Sequence, residues 1–429
     1  MQQTLFTIPH AWFDGPLLIG WLILSGLILL FLLIRHGWTQ DTWSFLPVIA
    51  VGVVVVWLVL PQVEIDGINP ANPTGPMVKQ GLAVRGYGVC LLLAIVCGVG
   101  ITLQRCRAAG IDPERILSLA LWMTIAGIAG ARLLYVVQKS DEFFGSGLSL
   151  RQSIVQALDM TKGGLVVYGS LIGGLIAALI FFRVTRLSFA KTADLIAPGM
   201  VLGLAIGRIG CLMNGCCYGG LCEAPLPAVR FPAGAPAYMQ QISHGELLGV
   251  RTEVATADPF DRKITAIERD GIGDQLDLEV GDRVTIYAPD PMYIQFFKQH
   301  APVSNDGREL AVLIDSKQKG QLTVPLSQLS MRSLNVHPTQ IYSAVNAGLL
   351  SLLLWLFWTV RRFDGQVFAL MLILYSISRF LLEIVRCDES GLMGTPLTIS
   401  QWVSSITIVV GLGLWGWLDG RSRTRPVAS

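Results

Sequence analysis

Nine apolar stretches, each long enough to cross a bilayer, constrain this chain more than any other feature. They run over residues 16–34, 44–60, 87–104, 116–137, 165–183, 192–212, 338–360, 366–386 and 398–418. A spanning helix needs roughly 17–25 mainly apolar residues, because a backbone group left unpaired in hydrocarbon is costly. Only 14% of the 429 residues are charged, against about 25% in a typical soluble domain. The chain reads as an all-α polytopic membrane protein of about nine transmembrane helices. Its partners therefore include the lipid bilayer; nucleic acid is not expected, since no basic block or nucleic-acid motif is present. The first stretch lacks the basic leader and small-residue cleavage site of a signal peptide and reads as a retained helix. The small-residue run "GSLIGGLIAA" at 169–178 predicts close helix packing.

Short loops set the orientation. "RHGWTQD", "RCRAAGIDPER", "RVTRLSFAK", "RRFDG" and the tail "RSRTR" are basic, whereas "DGINPANPTGP", "KSDEFFGSG" and "DESGLMGTP" are not. Basic loops stay in the cytoplasm. An outside N-terminus, nine helices and a cytoplasmic tail at 419–429 follow. Residues 223–335 then lie outside the cytoplasm. Their segments "RKITAIERDG", "LDLEVGDRVTIYAPD" and "RELAVLIDSKQKGQLTVPL" alternate apolar and polar residues between Gly, Asp and Pro breaks, which predicts a small β-rich extracytoplasmic insertion.

Ionisable residues at the edge of spanning segments are costly and so suggest function, snorkelling to the headgroups being the alternative. Arg208 ends a long apolar run in "AIGRIGCLMNGCCYGG", with Asn214 following it. The eighth stretch carries Tyr375, Arg379, Glu383 and Arg386, spaced four, four and three apart and so on one helical face. Two arginines held by a carboxylate suit an anion, since guanidinium offers phosphate a planar, permanently charged fork. In a membrane that phosphate belongs to a lipid. Polar groups open other helices at the same depth: Arg85 and Tyr87 in "AVRGYGV", Tyr168 and Gly169 in "GGLVVYGSLIGG", and His337, Gln340 and Tyr342 in "VHPTQIY".

The motifs "RGYG", "GGLVVYGSLIGG", "GARLLYV", "GRIGCLMNGCCYG", "HPTQIY" and "SRFLLEIVR" together resemble, in order and spacing, those of phosphatidylglycerol–prolipoprotein diacylglyceryl transferases. The resemblance covers residues 77–222 (four helices) and 336–418 (three helices), a seven-helix transferase core. Residues 1–76, with two added helices and a loop, and the 223–335 insertion lie outside it. It implies transfer of the diacylglyceryl group of phosphatidylglycerol to the lipobox cysteine thiol of prolipoproteins, recognised through their signal peptides, at the bacterial inner membrane and with no cofactor. By the same resemblance Arg208 and Arg379 are catalytic, while Glu383, Tyr87 and Asn214 match substrate-site residues of the family. Arg85, Tyr375, Arg386, Gln340 and Gly169 complete the expected substrate site.

The chain departs from the family pattern where protons are handled. Tyr168-Gly169-Ser170 stands for "HGG", Cys211 for an asparagine, Cys216 for a glutamate, and Ser343 for the glutamate after "HPTQIY". A phenol with a pKa near 10 is a poor base, so His337 is expected to join Tyr168 among the catalytic groups; the alternative is that a thiol already slightly ionised needs no dedicated base. Cys90, Cys97 and Cys106 read as small apolar residues. Cys211, Cys216, Cys217, Cys222 and Cys387 fall at the outer surface, where oxidation favours a disulfide. Spacing does not fix their pairing. No metal is expected, because C-x4-C-C-x4-C is not a standard zinc pattern and no histidine completes it. The alternative functions are a transferase of the same fold acting on another acceptor, and a lipid-binding or thiol-redox protein without catalysis.

Overall fold

The computed structural model describes residues 4–13, 15–37, 39–54, 56–57, 65–67, 78–144, 150–158, 164, 166–222, 227–256, 258, 260–291, 294, 311–386, 395 and 397–424. Eight helices among these are long and apolar enough to cross a membrane: α1 (Pro16–His36), α3 (Gly86–Ala108), α4 (Pro113–Gln138), α7 (Val167–Thr185), α8 (Phe189–Asn214), α11 (Thr339–Phe357), α12 (Gln366–Val385) and α13 (Ile399–Thr424). The shortest expected span begins as α2 (Gln40–Val54), 15 residues with Pro47 inside, and residues 55 and 58–60 of it lie outside the described residues. Trp21 of α1 packs over Gly52 of α2 and donates to the Ile49 carbonyl at 3.3 Å. Two shorter helices, α5 (Ser140–Phe144) and α6 (Leu150–Leu158), sit between α4 and α7.

Three strands were not expected from the apolar pattern. β1 (Thr4–Pro9) and β2 (Ile65–Gly67) flank β3 (Val78–Arg85) in an antiparallel sheet. Arg85 therefore ends a strand, opposite Thr4, and α3 begins at the next residue. Gly81 has φ of 110°, and a Cβ there would lie 1.9 Å from the Ile8 carbonyl, so only glycine permits this pairing.

The insertion is β-rich as expected. After α9 (Pro236–Ser243), strands β4 (Val250–Val254), β5 (Arg262–Ile267), β6 (Arg283–Tyr287), β7 (Ala311–Ser316) and β8 (Gly320–Pro325) form an antiparallel meander in chain order, with the short α10 (Ile272–Gln275) after β5. In β7 the alternate residues Val312, Ile314 and Ser316 are buried, the period-2 signal in the sequence. Their side of the sheet packs with Tyr238, Ile242, Leu248, Val250, Ile264 and Val324 into one core.

The chain folds as two compact units: Met1–Cys90 with Arg208–Tyr342 and Val385–Asp388, and Leu91–Gly207 with Ser343–Ile384 and Glu389–Ser429. In the second unit the predicted small-residue packing is present between α4 and α7. A Cβ on Gly169 would lie 2.3 Å from the Gly130 carbonyl oxygen, and one on Gly173 would lie 2.2 Å from that of Ala126.

Candidate active site

In the first unit the site is built from the end of α8. Arg208 is half-buried, six positions before the helix ends at Asn214. Gly215, at φ 79°, stops the helix: Cys216 N–H donates to the Cys211 carbonyl at 3.2 Å and Gly215 N–H to the Leu212 carbonyl at 3.3 Å. This is a Schellman turn, which needs a left-handed residue after the cap. Cys217 is left-handed too, at φ 58°, an uncommon conformation for a residue with a Cβ. The two turns fold the chain back, so the sulfurs of Cys211, Cys216 and Cys217 lie within 4.8 Å of one another.

The start of α3 packs against this end of α8. Gly86 faces Met213, and Gly210 faces Cys90 and the ring of Tyr87. Cys90 Sγ is 3.7 Å from Met213 Sδ. The charge of Arg208 acts on both Tyr87 and Cys217. Hydrogen bonds from the thiols of Cys211 and Cys216, then the charges of Arg208 and Arg386, hold the Cys217 thiol below its ordinary range, against the effect of burial. Among the described residues, ion pairs tie the partly buried arginines Arg361 and Arg379 to buried Asp194 and Glu383, whereas Arg208 pairs with no carboxylate.

The "HPTQIY" segment clasps the cysteine loop. Gln340 Nε2 donates to the Cys216 carbonyl and Thr339 Oγ1 to that of Cys217, both at 2.7 Å. Gly219 N–H donates to the His337 carbonyl at 2.9 Å, and His337 N–H to that of Gly220 at 3.0 Å. A Cβ on Gly219 would lie 2.7 Å from that of His337. His337 Nδ1 and Gln340 Oε1 are buried and have no hydrogen-bond partner. The end of α12 joins the same clasp, since Gly220 N–H donates to the Val385 carbonyl at 3.2 Å. Arg386, which follows it, lies one residue past the helix, so the expected four-residue stripe ends at Glu383. Asn214 acts on Cys216 through a side-chain hydrogen bond.

The second unit holds the other charged pair. Arg379 Nη1 donates to buried Glu383, and its Nη2 donates to Ser400 Oγ at 2.9 Å. Glu383 also accepts from Thr398 Oγ1 at 3.3 Å. Tyr375 packs against the apolar cluster around Ala197, Val201 and Leu350. Tyr168 is exposed in the first turn of α7, and Gly169 carries the contact with Gly130.

Three further charges inside spanning helices escaped the sequence reading, and each has a structural partner. Arg132, 6% exposed, donates to the carbonyls of Ala157, Gln156 and Gly164. Asp194, fully buried, accepts from Gly365 and Phe368 N–H at 2.8 Å and so caps the start of α12. Arg105 stacks on Trp355 with its guanidinium 3.8 Å from the ring centre. Arg132 lay in the quoted "GARLLYV" motif, but spacing gave no sign of which carbonyls it meets.

No disulfide joins the described cysteines, and Cys222 stands apart from the trio with its Sγ 3.9 Å from the Pro227 carbonyl. Cys387 lies outside the described residues. A cleft of about 500 Å³ opens where the insertion meets the clasp, lined by Tyr218–Leu221, Val336, Gln240, Gln241, His244 and the edge strand β4.

A family model described as prolipoprotein diacylglyceryl transferase matches residues 76–417. A phosphatidylglycerol–prolipoprotein diacylglyceryl transferase of Rhodopirellula baltica is 32% identical over 99% of this chain and 92% of its own length. Proteins of that name from Thermosynechococcus vestitus (27% identical; 80% of this chain, 91% of theirs) and Corynebacterium efficiens (26%; 83% and 84%) are also similar.

Proposed function

The chain belongs to the prolipoprotein diacylglyceryl transferase family, a group of multi-pass membrane enzymes that transfer diacylglyceryl from phosphatidylglycerol to prolipoproteins, and from this premise we propose which of its residues carry the reaction. The observation that supports the assignment is Arg208: a permanent charge in an apolar helix, beside Tyr87, with no carboxylate partner among the described residues. Arg105 and Arg132 are satisfied by an aromatic ring and by backbone carbonyls, whereas Arg208 is left to meet an anion, and the donor lipid brings one as phosphate.

The acceptor is the lipobox cysteine of a prolipoprotein whose signal peptide lies in the bilayer. Its thiolate attacks the diacylglyceryl carbon bonded to the phosphate ester oxygen. The C–O bond breaks as the C–S bond forms, and glycerol phosphate leaves with the electron pair. Arg208 stabilises the charge that develops on that oxygen, the main source of rate enhancement in a site of this kind, and Arg379 is the second arginine that the family pattern makes catalytic. Glu383 holds Arg379 in position. In the first unit Tyr87, Arg85, Asn214, Arg386 and Gln340 are the proposed surroundings of the lipid headgroup, and His337 receives the thiol proton. Tyr168, Gly169 and Tyr375 of the second unit remain proposed site residues on the sequence pattern alone. Residues 77–222 and 336–418 form the catalytic core; 1–76 and 223–335 are additions to it. With a ninth span completed after α2, the site faces the extracytoplasmic side of the bacterial inner membrane, the N-terminus lies outside and the 419–429 tail lies in the cytoplasm, an orientation that the basic loops support.

The test is transfer in detergent from labelled phosphatidylglycerol to a lipobox peptide, run beside Arg208→Ala. Label on the peptide cysteine, lost in the variant, supports the assignment. Label retained by Arg208→Ala would remove Arg208 from the site. Lipid binding without label on the peptide would favour a different acceptor.

A further inference from the structure

The transfer described above leaves the three gathered thiols without a task. Cys211 lies on the last turn of α8, and the turns at Gly215 and Cys217 bring the next two sulfurs to within 4.8 Å of it and of each other. A zinc ion with Zn–S bonds of about 2.3 Å sets its sulfurs about 3.8 Å apart, a separation that small side-chain rotations reach from here. A disulfide would engage two of the sulfurs and leave the third. The loop is also held in this shape from outside: Gln340 and Thr339 fix the carbonyls of Cys216 and Cys217 at 2.7 Å. Left-handed Cys217 is a strained conformation that persists only where its surroundings enforce it.

We propose that Cys211, Cys216 and Cys217 bind a zinc ion whose open fourth position takes the acceptor cysteine. This rests on the transferase reading and adds to it a means of ionising the acceptor. A free thiol is only a few per cent ionised at neutral pH, and coordination to zinc deprotonates it outright. Three protein ligands with one open position is the arrangement of a catalytic zinc, and a closed structural site would have needed a fourth. Charge supports the same assignment. Four thiolates around Zn²⁺ carry a net charge of −2, and the two arginines that act on this loop, Arg208 and Arg386, carry +2.

The step balances without an oxidant or reductant. The acceptor S–H gives its proton to His337 or to water as sulfur binds zinc. The bound thiolate then attacks the diacylglyceryl carbon, the C–O bond breaks, and the electron pair leaves on the phosphate oxygen. The product thioether is neutral, a weaker zinc ligand than the thiolate, and departs. Zinc keeps its charge throughout.

The experiment uses the full chain in detergent, kept reduced, stripped with a chelator and titrated with Zn²⁺ or Co²⁺. The expected result is uptake of ~1 equivalent, with cobalt–sulfur charge-transfer absorption that changes when a lipobox peptide is added and not with its serine counterpart. Stripping is expected to lower transfer about tenfold or more, and zinc to restore it. Cys216→Ser and Cys217→Ser lose the metal, and Cys222→Ser retains it. Failure to take up zinc, full transfer by the stripped protein, or a disulfide between two of the three cysteines in protein isolated without reductant would overturn the proposal. A protein that binds zinc and the peptide thiol yet transfers nothing would keep the metal site and sink the transferase reading of it.

Discussion

Arg379 and Glu383 lie one helical turn apart on α12, and the guanidinium donates to a carboxylate that is only 1% exposed. Thr398 and Ser400 of the following segment complete the hydrogen bonding of both partners. Removing one partner of a buried pair strands the other charge, at a cost of about 3–5 kcal/mol. Glu383→Ala is expected to lower the thermal midpoint in detergent and to abolish transfer. Glu383→Gln, which keeps the shape and one acceptor, is expected to fold and to lose about tenfold or more in kcat. An unchanged midpoint in Glu383→Ala would show that the pair is solvated.

Arg208 has no such carboxylate among the described residues, so its substitution tests chemistry more than folding. Arg208→Ala is expected to reduce kcat by about 10²–10³ or more, the range for losing one donor to a developing oxyanion. Arg208→Lys keeps the charge without the planar fork and is expected to fall between the two. Single-turnover rates with labelled phosphatidylglycerol read the effect. Equal rates for the lysine variant and the wild type would mean that charge alone matters.

His337 is held by its backbone to the cysteine loop, and its Nδ1 is buried without a partner. His337→Ala is expected to slow transfer by about 10²-fold, the lower end of a general-base contribution. His337→Gln preserves the packing and separates proton transfer from support of the Gly219 contact. Full activity in both variants would remove His337 from the mechanism.

Gly169 meets the backbone of Gly130, which cannot move aside as a flexible side chain would. Gly169→Ala is expected to push α4 and α7 apart and to destabilise by about 1–3 kcal/mol, the usual cost of overpacking. Gly174→Ala is the matched control, because a Cβ there would lie 3.7 Å from its nearest neighbour, ordinary contact distance. Thermal unfolding of the two variants in the same detergent makes the comparison, and equal midpoints would contradict it.

In the insertion, burial and then the charge of Arg262 push the His244 imidazole down to about 4. The folded chain therefore holds this histidine neutral, while the unfolded chain protonates it near pH 6.5. Its contribution to stability is complete above that pH and declines as the pH falls from about 6.5 toward 4. Glu246 works in the opposite sense, since burial raises its carboxyl. The histidine is isolated by comparing wild type with His244→Gln: hydrogen exchange in β4–β8 should accelerate more in the wild type between pH 6.5 and 4. Parallel curves for the two proteins would count against the shift.

Hydropathy and charge by themselves determined that the chain spans a membrane and that strands lie within residues 250–325, because both depend on the local period of apolar residues. Motif order determined the family, through residues such as Arg208, Arg379 and Glu383 whose charge is costly wherever the helix places it. Other features were decided only by the tertiary structure, because they depend on contacts distant in sequence. β1 pairs with β3 across more than seventy residues, which no period announces. Arg132 and Asp194 have the same composition signal as a catalytic charge, and only their bonds to backbone groups identify them as supports. The cysteines show the difference most directly. Their spacing suggested a disulfide and no metal, whereas two successive turns at Gly215 and Cys217 put three sulfurs together, a result of backbone dihedrals that a spacing pattern does not encode.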